Sequence, residues 1–245
     1  AVLLSTALIG AALGQSNPKS PEHGKKYQRL LIRNAIVVEG NGTPAAGPKD
    51  ILIENGVITR VVPRDAVSAS FNTAGNSAVE AEIDANGRYV IPGFIDSHAH
   101  IQRERGGRPQ PVDYCLKLWL ACGITTVRDV GSNFAKAKEI REKSAKGEVA
   151  APRVFLYPAF RRSATPEAAR EQIREMKRNG ADGVKFLGLP RDIFDAAAEE
   201  ANAQGLPIAH HIGVEETNAW DDIRMGTRSI EHWYGIPDAA LPDKI

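Results

Sequence analysis

The chain runs to 245 residues, 42% hydrophobic and 25% charged, and its 31 Lys+Arg against 30 Asp+Glu leave a formal charge of +1. That is ample core material, and with no block of like charge a nucleic-acid or polybasic membrane role has no electrostatic footprint. The two cysteines, Cys115 and Cys122, would stand roughly 10 Å apart along one helix, too far for a disulfide, and are expected as small buried hydrophobes.

Residues 1–14, AVLLSTALIGAALG, form an apolar run in which Ala12-Leu13-Gly14 fits a signal-peptidase site before Gln15. The run is shorter than the roughly 20 apolar residues of a spanning helix, so stable membrane insertion is not expected. It reads as part of a secretory signal lacking its Met and basic start, with a buried helix as the competing reading. The polar stretch over 15–28, which contains His23, reads as a linker. Export to a bacterial periplasm or beyond is the expectation.

Residues 29–89 are expected to be a small all-β unit. RLLIRNAIVVEG and DILIENGVITRVVP alternate β-rich runs with turn residues, and Asn55-Gly56 is a two-residue hairpin turn. EIDANGRYVIPG adds two short strands around Asn86-Gly87.

From Val90 the pattern becomes strand then helix, repeated. Strands are expected in VIPGFIDSHAHI, ITTVRDVG, RVFLYPAF, GVKFLG, PIAHHIG and SIEHWYG, with helices between them. The helix TPEAAREQIREMKRNG has Thr165 to cap it, Pro166 in its first turn and Gly180 to close it. Six strands with short loops and intervening helices imply a parallel sheet, doubly wound or most of a (β/α)₈ TIM-type barrel. No G-x-G-x-x-G follows the first strand, which argues against dinucleotide binding. A barrel needs eight strands and usually about 250 residues, so over residues 90–245 it is expected to be incomplete, with about six strands present.

Five of the six histidines, His98, His100, His210, His211 and His232, fall at the ends of predicted strands one, five and six. Side chains two apart on a strand share a face, so His98 and His100 converge. A single His-x-His is equally well a structural pair, but repetition from separate strands points to metal. Lys185 sits between Val184 and Phe186 on a predicted buried strand. Burial disfavours its charged form, and a neutral amine can take up carbon dioxide to become a carbamate, an anionic ligand with two oxygens. The alternative is a lysine that snorkels to water.

VIPGFIDSHAH, ADGVKF, GLPIAHHIG and SIEHW follow one another as in the metal-dependent amidohydrolases. The chain resembles their imidazolonepropionase and Xaa-Pro dipeptidase-like branch over roughly residues 29–245. The resemblance implies that residues 29–89 are the N-terminal part of a β-sandwich domain and that 90–245 hold the first six βα units of the barrel. It implies a more buried divalent metal on His98 and His100, a second on His211 and His232, and carboxylated Lys185 bridging them, with zinc the expected metal. It further implies a metal-activated hydroxide attacking an amide or other C–N bond of a small peptide or cyclic amide, with an Asp from an eighth strand as general base. No residue of this chain matches that Asp, so the chain alone is expected to be inactive. The alternatives are a non-catalytic metal- or ligand-binding relative, and a fragment that needs a partner chain. Strand alternation turns His210 away from the ligands, to a supporting or packing role. Asp96 and Asp129 are candidates for orienting a ligand, Asp129 also for capping a helix. Tyr157, Arg161 and Arg162 lie on or after strand three, where an arginine would meet a substrate carboxylate unless the loop is simply solvated.

Overall fold

The computed structural model describes residues 20–22, 25–64, 79–101, 104–213 and 217–241. The expected signal segment, most of the linker and His23 lie outside the described residues. The chain divides into two compact units between Pro92 and Gly93.

In the first unit, β1 (Arg29–Val37) pairs antiparallel with β2 (Ala46–Glu54), which pairs antiparallel with β3 (Val57–Pro63). Asn55 and Gly56 link the last two with φ of 51° and 79°. Both signs are positive, as a two-residue turn matching the twist of a hairpin requires. β4 (Ala81–Asp84) and β5 (Tyr89–Val90) flank Asn86-Gly87 but do not pair as a hairpin. Each runs parallel to β1, at its start and its end respectively, on the side away from β2. Ala35, Val37 and Ile51 are buried at the centre of this sheet.

The second unit is mixed α/β. Its strands are β6 (Phe94–Ala99), β9 (Ile124–Val130), β10 (Arg153–Tyr157), β11 (Ala159–Phe160), β12 (Val184–Phe186), β13 (Ile208–His210) and β14 (Ser229–Ile230), with a small hairpin of β7 (Glu104–Arg105) and β8 (Arg108–Pro109) after the first. All pairings apart from that hairpin are parallel and in chain order, β6-β9-β10 and then β11-β12-β13-β14. RVFLYPAF, read as one strand, is two. Pro158 has no N–H to donate and divides it, so that β10 pairs with β9 while β11 pairs with β12. Gly93 leads into β6, where a Cβ would stand 2.0 Å from Thr125 Oγ1, so a larger residue would push the first two strands apart.

Helices α1 (Val112–Ala121), α2 (Phe134–Lys146), α3 (Pro166–Arg178), α4 (Arg191–Ala203), α5 (Ala219–Arg224) and α6 (Ile236–Ala240) follow successive strands. Thr165 caps α3 by accepting from Ala168 N, and Gly180 follows its C-cap with φ 88°. The main core lies between β12, β13, α3 and α4, around Ile173, Val184, Phe186, Phe194 and Ile208. A bidentate Arg174–Glu200 pair links α3 to α4. No described helix is long and apolar enough to cross a membrane.

The cysteines depart from expectation. Helix α1 ends at Ala121, which leaves Cys122 exposed at the C-cap, while Cys115 is only half-buried with its Sγ 3.6 Å from Gln110 Oε1. The predicted last strand is also shorter than SIEHWYG. It stops at Ile230, and His232 and Trp233 take φ of 64° and 72°, a left-handed turn that no strand continues.

Candidate metal centre

The site is built by alternation along short strands. On β12, Val184 and Phe186 turn into the helix-side core, which sends Lys185 to the opposite face. Lys185 is 2% exposed, and its Nζ has no hydrogen-bond partner among the described residues. Burial lowers its pKa from 10.5 to about 8, with the Glu231 carboxylate opposing and the Arg128 guanidinium adding to the fall.

Next along the sheet, Ala209 pairs with Lys185 and His210 with Phe186. His210 therefore enters the helix layer. It is fully buried, stacks on Phe194 at 4.9 Å, and its Nδ1 lies 2.9 and 3.1 Å from the two oxygens of Asp222 on α5. His211, one residue past the strand, faces the other way and meets the ring of His232 at 4.8 Å. His232 meets His98 at 4.4 Å, and His98 meets His100 at 5.2 Å. Four imidazoles from the first, fifth and sixth strand ends thus form one chain of rings, extended by Tyr234 at 5.1 Å from His211.

Burial lowers the pKa of His100, His211 and His232, and the neighbouring histidines and Lys185 lower each further. These rings favour the neutral form, the one with a lone pair for a metal. The donor chemistry fits a divalent cation: clustered imidazoles beside an amine with no hydrogen-bond partner among the described residues. Among the described residues, however, no three His, Cys, Asp or Glu side chains close on a common point as a formed metal site. The rings meet edge-on and tilted.

Glu231, not anticipated among the site residues, joins the cluster together. It is 5% exposed and shares its carboxylate between His98 Nδ1 at Oε2 and two donors at Oε1, Arg128 Nη2 at 2.6 Å and Ser229 Oγ at 2.7 Å. Burial pushes its pKa up, but the bonds from Ser229 and His98 and the charges of Arg128 and Lys185 bring it below the usual carboxylate value. Arg128 also reaches Ser97 O and Ser229 Oγ, at 2.6 and 2.9 Å, and its guanidinium lies 5.2 Å from the centre of the Tyr157 ring. The available signal was the glutamate inside SIEHW; its partners come from distant strands.

The remaining candidates lie around this cluster. Asp96 accepts from the backbone N of His98 at 3.0 Å. Asp129 is buried and accepts from Ser132 Oγ and Ile101 N, with burial raising its pKa, while Asn133 caps α2 in its place. Arg161 and Arg162 are exposed, and Arg161 lines a cavity of about 550 Å³ with Ser132, Gln172 and Glu175. A separate cavity of about 620 Å³, lined by Asp96, His98, His100, Tyr114 and Trp119 among others, opens beside the histidine pair.

The profile of the Amidohydrolase family matches residues 89–245. A dihydroorotase from Solibacter usitatus is 27% identical over 226 residues, which cover 86% of this chain and 48% of that relative, so the chain spans about half its length. Among solved structures, a Xaa-Pro dipeptidase with methionine bound in its active site aligns with a TM-score of 0.62 at 18% identity, covering 82% of this chain and 66% of the other. A molinate hydrolase aligns with a TM-score of 0.65 at 18% identity, covering 82% and 56%. The two solved structures establish likeness of fold. With the family profile extending across the whole histidine cluster, the chain belongs to the amidohydrolase family.

Proposed function

We propose that the chain carries the ligand set of a metal-dependent hydrolase that cleaves an amide or other C–N bond in a small peptide or cyclic amide. His98 and His100 would hold one divalent cation, His211 and His232 a second, and Lys185 as its carbamate would lie between them, with zinc suited to such imidazole and oxygen donors. The observation that carries this reading is the buried, unpartnered Lys185 Nζ beside the row of imidazoles. A buried amine without a partner is costly as a cation, whereas reaction with carbon dioxide forms an N–C bond, releases a proton and leaves an anion suited to cations.

When bound, a pair of divalent cations activates water and polarises a carbonyl. The chain's own residues prepare for this. Burial first, then the nearby histidines and Lys185, lower the pKa of His100, His211 and His232, which favours the neutral ring. Tyr234 packs against the ring of His211. The family of the chain and the names of its relatives, a dihydroorotase and a Xaa-Pro dipeptidase, support the substrate class.

The same proposal takes the parallel strands from β6 to β14, with β10 and β11 counted together, as the first six of a (β/α)₈ barrel and the first unit as part of a β-sandwich. In support, the sheet curls enough for His98 on the first of these strands to reach Glu231 and His232 after the last. The general base is proposed as an Asp of the whole protein, on an eighth strand. Export of that protein rests on the sequence of residues 1–14.

The test is metal stoichiometry. The metal-stripped chain is titrated with Zn²⁺ or Co²⁺, with and without bicarbonate, alongside Lys185→Ala. Two ions per chain are expected with bicarbonate, and fewer in its absence or in the variant. A stoichiometry indifferent to both rejects the bridging role. An amide-substrate screen on the whole protein then identifies the reaction.

A further inference from the structure

Among the described residues, the scaffold contact of the His98 ring is made at Nδ1, which meets Glu231 Oε2. An ionised carboxylate only accepts, so the bond requires the proton on Nδ1, which in the neutral ring leaves the lone pair on Nε2. Glu231 is fixed independently of His98. Its other oxygen accepts from Arg128 Nη2 and Ser229 Oγ, and Arg128 is itself anchored to Ser97 O. The carboxylate is thus held by β9 and β14 and offered to a histidine on β6, with side-chain exposure of 6% at Glu231 and 18% at Arg128.

We propose that Glu231, clamped by Arg128 and Ser229, is the positioning residue that sets the tautomer and aim of His98, so that Nε2 alone is presented as the donor. The consequence for metal rests on the function proposed above; the tautomer does not. Such outer hydrogen bonds to metal-binding histidines typically change affinity about 10–100-fold when removed.

Glu231→Gln is the informative variant. Arg128 and Ser229 keep an acceptor only if the amide oxygen takes the place of Oε1, which turns the amide NH₂ toward His98 Nδ1. Facing a donor, Nδ1 must accept, and the proton moves to Nε2. ¹H–¹⁵N NMR of the metal-free chain, above the pH at which imidazole protonates and with His98 assigned by its substitution, reads this directly. The wild-type chain is expected to carry the proton on Nδ1 and Glu231→Gln on Nε2, with Co²⁺ affinity about 10–100-fold weaker in the variant. A wild-type His98 with its proton on Nε2 overturns the proposal and needs no variant to fold. Retention of the Nδ1 proton in Glu231→Gln overturns it equally. If the tautomer moves as expected while the wild-type chain binds no Co²⁺, the clamp stands and the metal function falls.

Discussion

Replacing Lys185 by Met isolates the cost of burying an amine. Methionine keeps an unbranched stem of similar length, so packing is largely preserved while the unpartnered Nζ disappears. The fall in pKa from 10.5 to about 8 corresponds to about 3 kcal/mol of destabilisation whenever the folded chain must carry the charged form. The unfolded chain binds this proton more tightly than the folded one, so wild-type stability rises with pH between about 8 and 10.5. Below that window the cost is fully present; above it, the cost is gone. In chelator-treated, bicarbonate-free buffer, urea unfolding near neutral pH should show Lys185→Met more stable by up to about 3 kcal/mol. The advantage should shrink through the same window. With divalent metal and bicarbonate at about a hundredfold over the dissociation constant of the Lys185-dependent ion, the wild type gains about 2.7 kcal/mol beyond what the variant gains from any remaining ion, nearly closing the gap. A variant no more stable near neutral pH, or an advantage that persists above pH 10.5, refutes the reasoning.

Substitutions at two further positions test the surroundings of the cluster. Asp222→Ala should cost about 1–3 kcal/mol in urea unfolding because it strands a buried ring N–H of His210, whereas Asp222→Asn keeps an acceptor and should cost less; equal stability of the two variants would show that this bond contributes nothing. Trp233 is 66% exposed at φ 72°, so Trp233→Gly should relieve left-handed strain and raise stability by about 1 kcal/mol in a thermal melt, and a loss would show that its ring contact with Tyr234 outweighs the backbone.

What the sequence disclosed was local. The β-rich runs, the Asn55-Gly56 turn and the Thr165-Pro166 helix start are set by neighbours in the chain, and the family resemblance is carried by short motifs at strand ends. Alternation along PIAHHIG was enough to separate His210 from His211. The Glu231 network was out of reach because it joins residues 133 and 103 apart in sequence, and no periodicity encodes such pairings. The division of RVFLYPAF was open to inspection, since a proline inside a strand forfeits a ladder bond, but which neighbour each half would choose depends on the sheet. Cys122 was misjudged because hydrophobic character says nothing of where a helix ends, and α1 stops one residue before it.

The adjacent histidines of β13 also bear on folding fidelity. A one-residue slip reverses the faces of a strand, yet after such a slip a histidine would still face the imidazole cluster and another could still approach Asp222. Polar identity at this doublet therefore barely distinguishes the correct alignment from its nearest error. The discrimination falls to Ile208, wholly enclosed in the core, and to Ala209, its small neighbour paired with Lys185. Exchanging their faces would empty a branched side chain from the core and crowd the lysine. Proofreading of the strand is thus done by two buried aliphatic residues outside the candidate ligand set, and Ile208→Ala would remove much of that proofreading while leaving every candidate ligand in the chain.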